Sequence, residues 1–394
     1  MKETDCLAYE LDLLEKLVAI NTDSLKKKNY EKISRLLSKE AKNIGLKVKI
    51  CRARASDHKS RPNLIVELDR GCKQTLLLAT HFDTVSPSKE TRRNMLKMHR
   101  KGKRLFGLGV CDDKGAIAVA YGVLKELAES GCSKNIKLVI ACDEEVGGKY
   151  GLKYLSLKHA KDLSADGCIV LDSSFKHIGV GCSGVMGSII TFKSKEGHAG
   201  YPFMTQNIVH LIVPFLKDLV GYRKIMQKKV SVADAPSFAP FEKVIGRMSV
   251  TMLNAGHKTN AIPGSAKVGV DIRMIPEAKV QHEKRQFKDF VKKLLKKHSL
   301  KANVWALGSR GYYVSQDNKF VKEVTEVVTK LKRKTPELAC ELGGQDGRFI
   351  ARLGIATVGY GPGGKDPHTF KESITISELE YTKKFIIALV KHEN

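Results

Sequence analysis

Four short, continuous apolar runs along the chain end on residues able to bind metals or move protons. TLLLAT leads into His81 and Asp83, NIKLVIACD into Glu144 and Glu145 ahead of Gly147 and Gly148, CIVL into Asp172, and IATVGYG is followed shortly by His368. Runs of this length without polar alternation predict strands buried on both faces, the pattern of a parallel sheet covered by helices. Ligands of such sheets sit beyond the carboxyl ends of the strands. Here those ends collect imidazoles and carboxylates, a donor set suited to zinc. Helical periodicity surrounds these runs near 5–19, 27–44 and 114–129, with strands near 63–68, 75–80, 135–141 and 167–171. The alternation predicts an α/β layer fold, with a mostly parallel central sheet and helices on both faces.

Near Ser183 the pattern changes. Extended segments GVMGSIITFKSKE, RMSVTMLNAG, AKVGVDIRMI and ANVWAL are separated by helical stretches near 206–228 and 279–298, which predicts a smaller α+β domain over 184–307. In the second stretch Phe287, Phe290, Val291 and Leu294 form an i, i+3, i+4, i+7 stripe that turns the lysines outward. Helix and strand alternate again from about 316 and end in a helix near 376–391. The organisation expected is a discontinuous domain, 1–183 with 308–394, that carries an inserted lid-like domain.

Composition narrows the class. At 394 residues, 42% hydrophobic and 28% charged, the chain fits a globular protein of two domains. No apolar stretch approaches the roughly 20 residues of a membrane span. The start, MKETDCLAYELDLLEKL, reads as amphipathic helix rather than a signal core. Nine scattered cysteines without a CxxC argue for reduced thiols, so the expected compartment is the cytoplasm. Cys111 and Cys142, beside the candidate site, read as small buried residues. The net charge of +27 is unusual, with basic runs at 89–104 and 279–298. It admits a polyanion surface. No basic motif interleaved with aromatics accompanies it, so solvated lysine-rich faces are expected, with neither a specific nucleic acid nor a membrane as partner.

In HFD, His81 is a candidate metal ligand and Asp83, two residues on, a carboxylate to orient its imidazole. GLGVCDDKG precedes the long helix, and either Asp112 or Asp113 would cap it. A ligand shared by two ions roughly 3.5–4 Å apart has to be a carboxylate. Asp112 is the favoured bridge, and the glycines would let the backbone approach closely. Glu144 and Glu145 can divide the labour, one on metal and the other as general base toward a water whose pKa falls to around 7.

The series HFDTV, GLGVCDDKG, ACDEEVGG, IVLDSS, EGHAGYP, NAIP, DIR, GGQDGRF and YGPGGKDPHTFKE resembles the acetylornithine deacetylase/succinyl-diaminopimelate desuccinylase family. These are two-zinc amidohydrolases, with aminoacylases and glutamate-releasing carboxypeptidases among them, and the likeness covers nearly the whole chain. It implies that His81 and Asp172 hold one zinc and that Glu145 and His368 hold the other. Asp112 would bridge them and Glu144 would be the general base; cobalt or manganese would serve the same ligands. It implies further that His198, in the inserted domain, reaches into the partner subunit's site of a homodimer and stabilises the oxyanion. Asn260, Arg273 and Gly344 would face the substrate. Arg273 has its own rationale, because a planar guanidinium grips a carboxylate bidentately.

Departures fall on the substrate side. The basic run at 89–104 replaces the family's aromatic-and-proline segment, GLG stands for GRG at 107–109, and ELGGQ puts Glu341 and Gln345 where small or hydroxyl residues are usual. The expected reaction is hydrolysis of the amide bond of an N-acyl-amino acid with a free carboxylate, by zinc-activated water. A dipeptidase or carboxypeptidase of the same fold is the alternative. A non-catalytic basic polyanion-binding protein is the rival of another class, and the complete ligand set counts against it.

Overall fold

The structure, a computed structural model, describes residues 7–87 and 95–392. The first residues of the helix expected near 5–19 and residues 89–94 of the first basic run lie outside the described residues. The chain divides into two compact units, Met1–Val180 with Val314–Leu338 and Asp346–Asn394, and Gly181–Tyr313 with Ala339–Gln345. The sequence reading leaves 339–345 with the flanking parts. It folds with the second unit because the Glu341 carbonyl accepts from Ser183 N and the Leu342 carbonyl from Arg247 Nη2, each at 2.9 Å.

In the first unit the central sheet runs Lys47–Arg54, Ser60–Leu68, Asn135–Ala141, Thr75–His81, Gly167–Val170, Thr357–Gly359, His177–Cys182. The apolar runs of the sequence are its middle: Asn135–Ala141, Thr75–His81, Gly167–Val170 and Thr357–Gly359 are mutually parallel. The flanking pairings are antiparallel, which makes the whole sheet mixed. Both faces are covered. Leu77, Ala79 and Val139 pack against Leu155 of helix Leu152–Lys158 and Phe349 of helix Gly347–Ala351. Alternation sends Leu76 and Leu78 to the opposite face, the side of helix Lys114–Ser130, which packs against Ala8–Val18 and Ile376–Val390. The strand Lys47–Arg54 escaped the sequence reading because it is an edge, with Lys47, Lys49, Arg52 and Arg54 exposed. Charge on an edge strand blocks pairing with other chains.

The second unit is a four-stranded antiparallel sheet, in the order Arg247–Ala255, Ser265–Met274, Gly184–Lys193, Ala302–Ser309. Its core joins Ile190 and Phe192 of the sheet to Phe215 and Phe287 of helices Ile208–Val220 and Val280–Lys297. The stripe read in the sequence is this contact: Phe287, Val291 and Leu294 are buried, while Lys292, Lys293, Lys296 and Lys297 are exposed. The single helix expected near 206–228 is two, Ile208–Val220 and Tyr222–Gln227, parted at Gly221, the residue there with the weakest helix preference. No described helix is long and apolar enough to cross a membrane.

Candidate metal centre

The ends of the parallel strands deliver the candidate ligands. His81 closes Thr75–His81 and is buried. Its Nδ1 lies 3.0 Å from the backbone carbonyl of Asp83 and 3.6 Å from the Asp83 carboxylate. The carbonyl is therefore the nearer orienting group. The Asp83 carboxylate instead accepts the backbone N–H groups of Glu144 at 3.1 Å and Glu145 at 3.3 Å. Residues i and i+2 share a side only while a strand continues, and this one stops at His81.

With Nδ1 donating, His81 Nε2 presents a lone pair. It lies 3.0 Å from Asp112 Oδ1 and 3.9 Å from Asp172 Oδ2, yet it is buried without a hydrogen-bond partner. A lone pair set against two carboxylates calls for a cation between them. The other oxygen of Asp112 is 2.9 Å from His368 Nε2, which is itself 3.1 Å from Glu145 Oε2. Asp112 thus stands between two imidazoles with one oxygen toward each. Ligand atoms of His81, Glu144 and Asp172 lie within 4.8 Å of one another, as do those of Asp112, Glu145 and His368. The residues present fit a pair of metal ions that share Asp112.

The electrostatics divide the same way. Burial favours the neutral form of Asp112, but His368 and His81 together hold its carboxyl below the usual range. Burial, and then Asp112, push Asp172 up to about 7. Burial, and then the Asp346 carboxylate, push Glu144 well above its usual value. Glu145 is tied differently, its Oε1 accepting Val85 N at 3.0 Å. The glycine pair behind the two glutamates has a local reason. Gly148, at φ +65, leaves no room for a Cβ, which would meet Asp346 Oδ2 at 2.6 Å.

Several positioning residues went unassigned in the sequence. Glu372, buried in KDPHTFKE, accepts the backbone N–H groups of Gly109, Cys111 and Asp112 at 3.0, 3.1 and 3.3 Å. Gly109, at φ +85, stands in this turn with its N–H donated to Glu372. Asp113 occupies the N-cap position of Lys114–Ser130 without capping it and accepts from Thr80 Oγ1 instead. Lys114 is buried with Nζ donating to the carbonyls of Leu17 at 3.0 Å and Ile20 at 2.8 Å. Burial lowers its pKa to about 7, against the pull of Glu372 and Asp83. Asp143, in the left-handed region at φ 62, is held by Lys27 at 2.9 Å and by Arg61 and Tyr30 at 3.2 Å. None of these makes a recognisable spacing, since their partners lie on other elements.

In the second unit, a short ladder pairs Gly197–His198 with Ala261–Ile262 and so joins EGHAGYP to TNAIP. His198 is exposed, and its Nδ1 accepts Gly200 N–H at 3.0 Å. The neutral ring therefore carries its proton on Nε2, a donor. His198 and Asn260 line one pocket of 820 Å³ with Lys258 and Lys267. Arg273 does not line it. It sits near the far end of Ser265–Met274, about 20 Å from Lys267 at ~3.3 Å per residue. There its Nε donates to Asp271 at 2.8 Å, and it lies opposite Arg247 in the strand pair. Arg247, unremarked in the sequence, donates to Ser183 Oγ at 2.7 Å and keeps a buried Nη1 without a partner. Gly344 is exposed just past the bend at Leu342 and Gly343 that follows Glu337–Glu341. One chain therefore does not bring Asn260 and Arg273 together.

Two carboxylate–imidazole clusters at the carboxyl edge of a mixed α/β sheet define a hydrolase of amide or peptide bonds. The model of peptidase family M20/M25/M40 matches residues 77–392, a span that includes every candidate ligand, and the chain belongs to that family. Solved structures share the fold over nearly the full length. A tripeptidase from Staphylococcus aureus is 20% identical, with 98% of this chain and 97% of that one covered and a TM-score of 0.77. Human carnosine dipeptidase 1 is 15% identical, with 99% and 97% covered and a TM-score of 0.79. A dinuclear metal-binding peptidase from Bacillus subtilis is 13% identical, with 98% of each covered and a TM-score of 0.63.

Proposed function

We propose that this chain is a two-zinc hydrolase of N-acyl-amino acids that end in a free carboxylate, with dipeptides, which carry an aminoacyl group in the same place, as the alternative substrates. The observation that carries the reading is Asp112, with one oxygen toward His81 and the other toward His368. His81 and Asp172 would hold one ion, Glu145 and His368 the other, and Asp112 both. Bound ions supply a Lewis acid and a water acidified toward neutrality. Glu144, its carboxyl pushed up by burial, takes the proton of the attacking water and returns it to the leaving amine. His198 donates Nε2–H to the carbonyl oxygen as charge develops there. Asn260 lines a pocket that Arg273, about six strand residues beyond Lys267, does not reach, which favours a homodimer whose sites draw on both chains.

Among the acyl groups, an aminoacyl group draws support from proteins of this fold, which include a tripeptidase and a carnosine dipeptidase. Acetyl and succinyl groups follow from the motif series. The test is a panel of dipeptides, tripeptides and acetyl- and succinyl-amino acids, with and without a carboxamide end, on zinc-loaded enzyme. Hydrolysis of members with a free carboxylate and loss on amidation are expected. No turnover of any member by fully loaded enzyme would overturn the reading.

A further inference from the structure

A second donor cluster stands apart from the candidate ligands of the hydrolytic centre, at the edge of the first unit's sheet. Cys51, in the edge strand Lys47–Arg54, is buried, and its Sγ lies 3.6 Å from His159 Nδ1. That nitrogen is 3.1 Å from Asp162 Oδ2, and the three donor atoms all lie within 4.8 Å of one another. His159 precedes the one-turn 3₁₀ segment Ala160–Leu163, and Asp162 lies within it. In such a turn, side chains three residues apart eclipse, which sets both over Cys51.

We propose that Cys51, His159 and Asp162 form a binding site for a soft divalent cation of the zinc class. Thiolate, imidazole and carboxylate around a tetrahedral ion stand about 3.3–3.6 Å apart for metal–ligand bonds of ~2.0–2.3 Å; the sulfur–nitrogen separation here is already 3.6 Å, and the nitrogen–oxygen one, 3.1 Å, has to open by a few tenths of an ångström. Tyr154 OH donates to the Arg52 carbonyl at 3.3 Å and lies 3.4 Å from His159 Nε2, so it can accept Nε2–H in the tautomer whose Nδ1 would serve as ligand. A fourth position is left for water. Lys49 is the competitor: its Nζ lies 2.7 Å from the same Asp162 oxygen, on a half-exposed side chain that can swing into solvent. The cluster ties the edge strand to the segment that follows Glu144 and Glu145. Asn63, opposite Cys51 in the ladder, reinforces this link by donating to the Tyr150 carbonyl at 2.9 Å and accepting from Cys142 N at 3.0 Å. An ion here would brace the far end of the segment that begins at the catalytic glutamates.

Cobalt(II) titrated into the protein after its zinc has been removed by a chelator tests the site, since zinc already bound there would compete. None of the proposed ligands of the hydrolytic centre is a thiol, so a thiolate-to-cobalt charge-transfer band reports this cluster alone. The intensity of the band should correspond to one thiolate-bound cobalt per chain, and the band should vanish in Cys51→Ser. Asp162→Asn, a half-buried position, should weaken binding roughly tenfold or more, and Lys49→Gln should tighten it by freeing the Asp162 oxygen. Cys111→Ser should leave the band intact. No band at millimolar cobalt, a band of full strength in Cys51→Ser, or one lost in Cys111→Ser would each overturn the assignment. Hydrolysis by the Cys51→Ser enzyme should persist, which separates this proposal from the hydrolytic reading.

Discussion

Asp112 and Glu144 carry the proposed chemistry at the scale of single residues, and each had a signal in the sequence because its neighbours are also chemical. Asp112 sits in a doublet before a helix, and Glu144 in a doublet after an apolar run. The doublets were ambiguous locally, and only the structure separates their members: Asp113 turns to Thr80, and Glu145 to His368. For Glu144→Gln we expect zinc content unchanged and turnover reduced by roughly 10²–10⁴, the range for loss of a general base; wild-type kcat in that variant would exclude the role. Lys114 was illegible, because a lysine at the start of a helix ordinarily points to water. Its folded pKa of about 7 lies below the ordinary 10.5. Between those values the unfolded chain holds a proton that the folded chain lacks, so this residue's contribution to stability rises as pH rises through that window. Urea unfolding should show wild type gaining on Lys114→Met from pH 7 toward pH 10, and parallel curves would contradict the assignment.

Among the elements, the buried strands were the most legible, since burial on both faces leaves continuous apolar runs. Lys47–Arg54 was hidden by its charged edge, and the break at Gly221 by an apolar pattern that runs across it. The loop that presents Asp112 is shaped from 260 residues away, by Glu372 accepting three of its backbone N–H groups. No spacing rule reaches that far. Glu372→Gln keeps the size but sets an amide N–H₂ against backbone donors. Metal affinity should fall about 10–100-fold, as for other groups that support a ligand. Equilibrium dialysis against a zinc buffer measures it, and wild-type affinity would show that the loop holds without Glu372.

For the whole molecule, the two-part organisation could be read from the change of pattern near Ser183, whereas residues 339–345 had to be seen to be placed with the second unit. The residues proposed to face substrate are distributed rather than gathered, with Asn260 and His198 in one pocket and Arg273 well away from it. If His198 serves a partner subunit's site, mixing inactive His198→Ala with inactive Glu144→Gln under subunit exchange should restore part of the activity, because one site in each mixed dimer then has both groups. Without exchange between chains nothing returns, and a fully active monomer would exclude the cross-subunit role.

The central claim is a pair of ions sharing Asp112, and anomalous diffraction at the zinc edge tests it most directly. Crystals of zinc-loaded protein should show two peaks roughly 3.5–4 Å apart, one beside His81 and Asp172, the other beside Glu145 and His368, with Asp112 between. A single peak at this centre, or two peaks with Asp112 touching only one, would contradict the account.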